Sequence, residues 1–228
     1  TVCHRYSCVF QGNKGKKEIV MSKGLYLYPK WIRLWHITNA VLFLILIVTG
    51  ISLQFSGLDE PFVLVSFKSA VSWHNTAAFF LVLSYVVFII GNGVTGNIKH
   101  YRSNSDTFLQ DLIKQANYYR RDMFRGEPHP FPVTEDSKFN PLQRFSYLLA
   151  MYAGMPLVII SGILLFYPGM LPRQVFGVSG LLINDLVHVA TGFILSIFMI
   201  IHIYTCTLGS KPTTLFKSMI DGYHHDDH

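Results

Sequence analysis

The sequence predicts an all-α membrane protein: a four-helix transmembrane bundle with a cytoplasmic amphipathic helix between spans two and three. Three observations predict it. Half of the 228 residues are hydrophobic and only 14% are charged, and the mean hydropathy of +0.34 argues against an ordinary soluble domain. The charges also leave four long gaps. Residues 31–57 hold only Arg33, while residues 69–98, 145–172 and 186–210 hold no Lys, Arg, Asp or Glu; each gap exceeds the ~20 apolar residues needed to span a hydrocarbon core. Finally, four histidines, His36, His74, His188 and His202, sit inside these runs, where ionisable groups are costly and usually functional. The spans make one bundle over residues 25–212, preceded by an extension (1–24) and followed by a polar tail (213–228).

In chain order, residues 1–24 look unlike the rest of the chain. Cys3-His4 reads either as the second half of a CxxCH haem c attachment motif, as part of a metal site, or as a polar extension with no cofactor role, and the last reading is preferred. Residues 23–30 (KGLYLYPK) form a basic, aromatic approach in which Tyr26 and Tyr28, with Trp31, suit an interfacial belt. Pro29 fits a helix start. The first span is too long and too far from the N-terminus for a cleavable signal. It places His36 one to two turns below the surface, with Arg33 a turn earlier. The second span opens KSAVSWHNTAAFF with His74 equally shallow and ends in GNGVTGN, where Gly91, Gly93 and Gly96 permit close helix approach or a break.

Between spans two and three, Phe108, Leu112, Ala116, Tyr119 and Met123 recur at helical spacing, an amphipathic helix lying on the surface or against a partner. It ends at Gly126, before GEPHPFP, which forbids helix. KFNPLQR leads into the third span, which lacks histidine and carries Gly154, Pro156 and Gly162 as packing and kink positions. Pro168, Gly169, Pro172, Gly177 and Gly180 make a set of tight turns before the fourth span. Cys206, within that span, behaves as a small apolar residue. The final YHHDDH is expected to be mobile.

Orientation follows from Lys and Arg. Seven precede or open the first span (Arg5, Lys14, Lys16, Lys17, Lys23, Lys30, Arg33), and eight lie between spans two and three (Lys99, Arg102, Lys114, Arg120, Arg121, Arg125, Lys138, Arg144). The opposite loops hold only Lys68 and Arg173, beside Asp59, Glu60 and Asp185. The positive-inside rule places both termini and the middle connection in the cytoplasm. This asymmetry accounts for the net charge of +6 without nucleic acid.

His188 and His202 are 14 positions apart, which on an α-helix is ~21 Å and nearly four whole turns. They share one side of the fourth span at opposite depths. With alternating span directions, His36 falls at the depth of His202 and His74 at that of His188. Two imidazoles facing across a bundle at each of two levels are what bis-histidine haem b requires. Zinc would want more ligands at each level, and a proton relay would want carboxylates, which the spans lack.

RLWHITNAVLFLILIVTG, SWHNTAAFF and HVATGFILSIFMIIH, with GEPHPFP and KFNPLQRFSYLLAM, resemble the four-helix di-haem cytochrome b subunits of formate dehydrogenase-N, membrane nickel–iron hydrogenases and thiosulfate reductase. The resemblance covers residues 25–212. It implies a membrane-anchoring subunit of a respiratory oxidoreductase complex in a bacterial-type inner membrane. Electrons would pass through two haem b, held by His36 with His202 and His74 with His188, between the quinone pool (menaquinone or ubiquinone) and an iron–sulfur subunit with a periplasmic catalytic large subunit. The chain would then have no complete catalytic site of its own apart from a quinone site.

In that family an Asn and a Gln at the start of the third span help to build the quinone site. Asn140 and Gln143 match them, against the reading that Asn140-Pro141 simply caps a helix. Arg33, Arg144 and Lys30 are candidates for haem propionates, or only satisfy the positive-inside bias. Asn39 and Asn75 read equally as packing hydrogen bonds. The competing function is a haem-free membrane anchor or transporter with structural or proton-relay histidines; a further variant keeps the haems but docks partners on the basic cytoplasmic connection. The direction of electron flow would be set by the partners' potentials.

Overall fold

The computed structural model describes residues 25–56, 64–101, 107–134, 137–209 and 211–224, the side chain of His100 excepted. Cys3, His4 and Cys8, Asp59 and Glu60, Arg102 and the last four residues of the tail lie outside the described residues. Among the described residues four helical spans are long and apolar enough to cross a membrane: α1 (Lys30–Phe55), α2 (Phe67–Thr95), Pro141–Phe166, and a fourth over Gly180–Cys206, of 26, 29, 26 and 27 residues. Their outward faces are apolar and bare, as at Ile90 and Phe193, 60% and 66% exposed. An α-helix satisfies its own backbone, which is what allows such a surface to face hydrocarbon.

Local chemistry sets the ends. Pro29 precedes α1, and the Ser66 hydroxyl accepts from the Ser69 N–H at the start of α2. Gly96, at φ 65°, closes α2 in the left-handed conformation. Between α2 and the third span runs α3 (Phe108–Asn117), followed by a π turn (Tyr118–Asp122) and a 3₁₀ turn (Met123–Arg125) that ends at Gly126, φ 73°. A helix therefore stands where the amphipathic one is expected, with its pitch changing along its length. Phe108 packs on Phe145 of the third span at 6.0 Å between ring centres. Its inward face differs from expectation by one position: Gln115 is fully buried while Ala116 is exposed. The polarity of Gln115 hid it, but its amide meets the His129 ring at 3.4 Å.

The third span is three pieces, α4 (Pro141–Leu149), a π turn (Ala150–Gly154) and α5 (Met155–Phe166). Proline explains the turn. Met155 N–H donates to the Ala150 carbonyl in the wider register, and Pro156, the next donor in line for Met151, has no N–H. The Met151 carbonyl instead accepts from the Tyr85 hydroxyl of α2 at 2.9 Å. Gly154 lies under Leu195, where a Cβ would come within 2.8 Å of Leu195 Cδ2.

Two short strands, β2 (Gln174–Val175) and β3 (Val178–Ser179), pair antiparallel and bracket a two-residue turn at Phe176 and Gly177, φ 51° and 82°. The fourth span, α6 (Gly180–Cys206), comes directly after β3. It and α4 begin upstream of the charge-free runs, because helix starts reach into the polar interface past Arg144 and Asp185. Of the YHHDDH expected to be mobile, all but Tyr223 and His224 lies outside the described residues; the polar tail itself begins at residue 213. Its described part forms α7 (Thr214–Asp221) and β4 (Tyr223–His224), and β4 pairs antiparallel with β1 (Leu25–Tyr26). The Leu27 and Tyr28 N–H groups donate to the Gly222 carbonyl at 2.9 and 3.2 Å, and Arg33 Nη1 donates to the Ile220 carbonyl. This clasp marks one end of the bundle; the β2–β3 hairpin marks the far end.

α1 packs antiparallel on α2, and α5 on α6. Leu42, Ala77, Leu81, Ala150, Met155 and Leu195 form a buried cluster at mid-depth that joins the two hairpins. Leu195 lies midway between His188 and His202, so the solid part of the core separates the two histidine levels.

Candidate functional site

His36 and His74 each lie within the first two turns of their helices. The helices run in opposite directions, so the two rings end up at opposite ends of the bundle. α6 contributes His188 toward the far end and His202 toward the clasp. The rings meet in pairs: His36 and His202 have centres 6.0 Å apart and planes at 61°, and His74 and His188 have centres 6.4 Å apart and planes at 72°. Among the described residues no group of three or more His, Cys, Asp or Glu gathers, so each level offers two imidazoles and no third such group.

Three of the four rings are held at Nδ1. Thr49 Oγ1 of α1 lies 2.9 Å from His74 Nδ1, Ser161 Oγ of α5 lies 3.1 Å from His188 Nδ1, and the Tyr147 hydroxyl of α4 lies 3.3 Å from His202 Nδ1. Asn184, buried on α6, donates to the Ser161 carbonyl at 3.0 Å and braces the same helix pair. Near the clasp, Phe198 stacks on His202 at 6.0 Å and Tyr147 meets it edge-on at 5.6 Å. Trp35 beside His36 donates to the Ser84 carbonyl at 2.9 Å and stacks on Phe88 at 4.4 Å.

The ring pairs fit a metal held between two imidazoles. Two bonds of ~2 Å plus the roughly 1 Å from each nitrogen to its ring centre come to about 6 Å, the separation found at both levels. Space and unpaired polar atoms fit as well. A Cβ at Gly192, between the two histidines of α6, would meet nothing within 4 Å. Arg33 Nε and Asn39 Oδ1, each one turn from His36, are buried without a hydrogen-bond partner among the described residues.

Asn140 and Gln143, the expected quinone-site pair, form a capping box. Asn140 Oδ1 accepts from the Gln143 N–H at 2.9 Å, and Gln143 Oε1 accepts from the Asn140 N–H at 3.2 Å. Asn140 also donates to the Tyr119 hydroxyl at 3.1 Å. The box leaves the Gln143 amide NH₂ as its spare donor. Arg144 donates to the Ser137 hydroxyl at 3.3 Å and, with Tyr101, Phe108, Phe145 and Tyr152, lines a cleft of about 540 Å³ beside α4 and the start of α3. Lys30 is exposed and Asn75 half-buried. Outside the spans, burial raises the Tyr28 phenol to about 12, assisted by Cys206, and lifts Tyr101 as well. Burial, then the charge of Lys99, lowers Lys138, whose ammonium donates to the Leu27 carbonyl at 2.7 Å.

Sequence reasoning missed Thr49, Ser161 and Tyr147. One signal was available: Thr49-Gly50 stands 25 residues before His74, and Ser161-Gly162 stands 27 before His188.

Four spans with histidines meeting in pairs across the bundle define a membrane-type helical bundle with two paired-imidazole levels. The chain belongs to the prokaryotic cytochrome b561 family, whose profile matches residues 27–222. It is 38% identical over 213 residues to "Putative cytochrome YdhU" of Escherichia coli, covering 92% of this chain and 79% of that one. It is also similar to the F420 non-reducing hydrogenase II cytochrome subunit of Methanosarcina mazei, 25% identical over 168 residues, 68% of this chain and 58% of that subunit. The protein is thus a multi-pass membrane cytochrome b with an electron-transfer role, of a family that binds haem b.

Proposed function

We propose that the protein is the membrane-anchoring di-haem cytochrome b subunit of a respiratory oxidoreductase complex. It would carry electrons across the membrane between the quinone pool and an iron–sulfur subunit with its catalytic large subunit. The observation that carries this reading is the pair of ring separations, 6.0 and 6.4 Å, contributed by one helix to opposite ends of one bundle. Haem b held by imidazole on both sides supplies a reversible one-electron couple with no open position for oxygen or substrate. His36 and His202 hold one group and His74 and His188 the other. Their helices fix the distance between them, and the apolar cluster around Leu195 keeps water from the path.

Arg33, whose Nε has no hydrogen-bond partner among the described residues, suits a propionate at the clasp end; Arg144 is the second candidate. Asn140 and Gln143 stand at that same end as the quinone site, with the Gln143 amide NH₂ donating to a quinone carbonyl. The positive-inside rule puts the clasp, both termini and α3 in the cytoplasm, and the β2–β3 hairpin toward a periplasmic partner. The kinship to a hydrogenase cytochrome subunit supports the setting in a complex.

Haem extraction and a reduced-minus-oxidised spectrum test the reading. Two b haems per chain are expected. His36→Ala or His202→Ala removes one, and His74→Ala or His188→Ala removes the other. A purified, folded chain without a reducible Soret band returns the protein to the haem-free anchor.

A further inference from the structure

The two hydroxyls at the far end each face carbonyls of their own helix and a ring nitrogen, with longer contacts to the Leu46 and Val158 carbonyls at 3.3 and 3.2 Å. Thr49 Oγ1 is 2.7 Å from the Ile45 carbonyl and 2.9 Å from His74 Nδ1; Ser161 Oγ is 2.7 Å from the Leu157 carbonyl and 3.1 Å from His188 Nδ1. A hydroxyl carries one proton, and a carbonyl can only accept. That proton therefore goes to the carbonyl one turn back, and the hydroxyl offers the ring a lone pair. The proton in the second contact must belong to Nδ1. A neutral imidazole has one N–H, so Nε2 of both histidines is left as a bare lone pair.

The device is built twice, once in each hairpin. In both copies the residue after the hydroxyl is glycine. A Cβ at Gly50 would stand 3.6 Å from His74 Cε1, and one at Gly162 would stand 3.1 Å from His188 Cε1, so each ring lies edge-on against bare backbone. Among the described residues no serine or threonine hydroxyl meets the His36 or His202 ring.

Resting on the haem reading above, we infer that Thr49-Gly50 and Ser161-Gly162 are paired latches. Thr49 and Ser161 are positioning residues that fix the Nδ1–H tautomer of His74 and His188, aim both Nε2 lone pairs at the far-end metal, and strengthen them as donors. A ligand histidine that donates through its other nitrogen is the more basic ligand and favours the ferric state. The latches therefore hold the far-end haem at a lower potential than bare imidazoles would; at the clasp end His202 Nδ1 meets the Tyr147 phenol, at 3.3 Å, in place of a latch.

Potentiometric titration of the full-length chain, with absorbance and electron paramagnetic resonance recorded on the same samples, tests this. Thr49→Val and Ser161→Ala are each expected to shift the far-end midpoint upward and alter its low-spin signal, leaving the clasp-end midpoint in place. The double variant shifts further, and Thr49→Ser restores the parent value. Ser161→Ala removes a single oxygen and carries the test if Thr49→Val fails to accumulate. Unmoved potentials and signals in Ser161→Ala would reduce the hydroxyls to ordinary intrahelical bonds and overturn the inference. Absence of haem from the unaltered chain overturns the underlying reading instead, so the two failures are distinguishable.

Discussion

Trp31 lies so close across Gly91 that a methyl group there would stand 2.6 Å from its Cζ3. Gly91→Ala should lower stability by about 1–3 kcal/mol, because an indole pinned between two helices has little room to yield. Gly93→Ala is the control, since a Cβ there meets nothing within 4 Å; a helical Gly→Ala gains up to ~1 kcal/mol. Thermal denaturation of the two purified variants side by side checks the contrast. The role of Gly91 was readable in part, because three glycines within a few residues of a helix end signal close approach. The four histidines were readable for a stronger reason: their spacing and depth, with alternating span directions, pair them without any contact information. Thr49 and Ser161 were not. A hydroxyl bonded to the carbonyl one turn back is ordinary within an apolar helix, and nothing local says which one meets a ring on the next helix.

At the scale of the element, the third span shows a sequence effect handed from one helix to another. Pro156 takes away the donor that Met151 would have used in the π register, and Tyr85 replaces it from α2. Tyr85→Phe should cost about 1–3 kcal/mol, the penalty of an unpaired buried carbonyl. Pro156→Ala, which returns an N–H to the span, should make Tyr85→Phe less costly. A double-mutant cycle on thermal stability reads that coupling. Pro156 announced a kink in the sequence, but the π turn and its tyrosine did not, since both depend on where α2 passes. Element boundaries show the same limit. Charge-free runs locate the hydrocarbon depth, whereas caps such as Asn140 locate helix starts, and in the third and fourth spans the two differ by a turn or more.

For the whole molecule, the pairing of β1 with β4 draws the two ends of the described chain over the His36–His202 level. It was invisible in the sequence because two-residue strands have no periodicity to find. It also buries Tyr28. The folded state holds that phenolic proton more tightly than the unfolded chain does, with a value of about 12 against 10.0. The resulting stability is complete below pH 10.0 and is lost as pH rises through about 12. Denaturation midpoints measured across that window should fall, and Tyr28→Phe should make the decline shallower. Burial also lifts Tyr101, so some slope should persist in that variant.

Because α6 carries a histidine for each level on a single unbroken rod, it acts as a ruler with a phase. A substitution between His188 and His202 changes what packs around it. One inserted residue would turn one imidazole by ~100° relative to the other and move it ~1.5 Å along the axis. Whichever pair stayed aligned, the other would open. The stretch between these histidines can therefore vary in composition far more readily than in length, and its length sets how far apart the two levels lie.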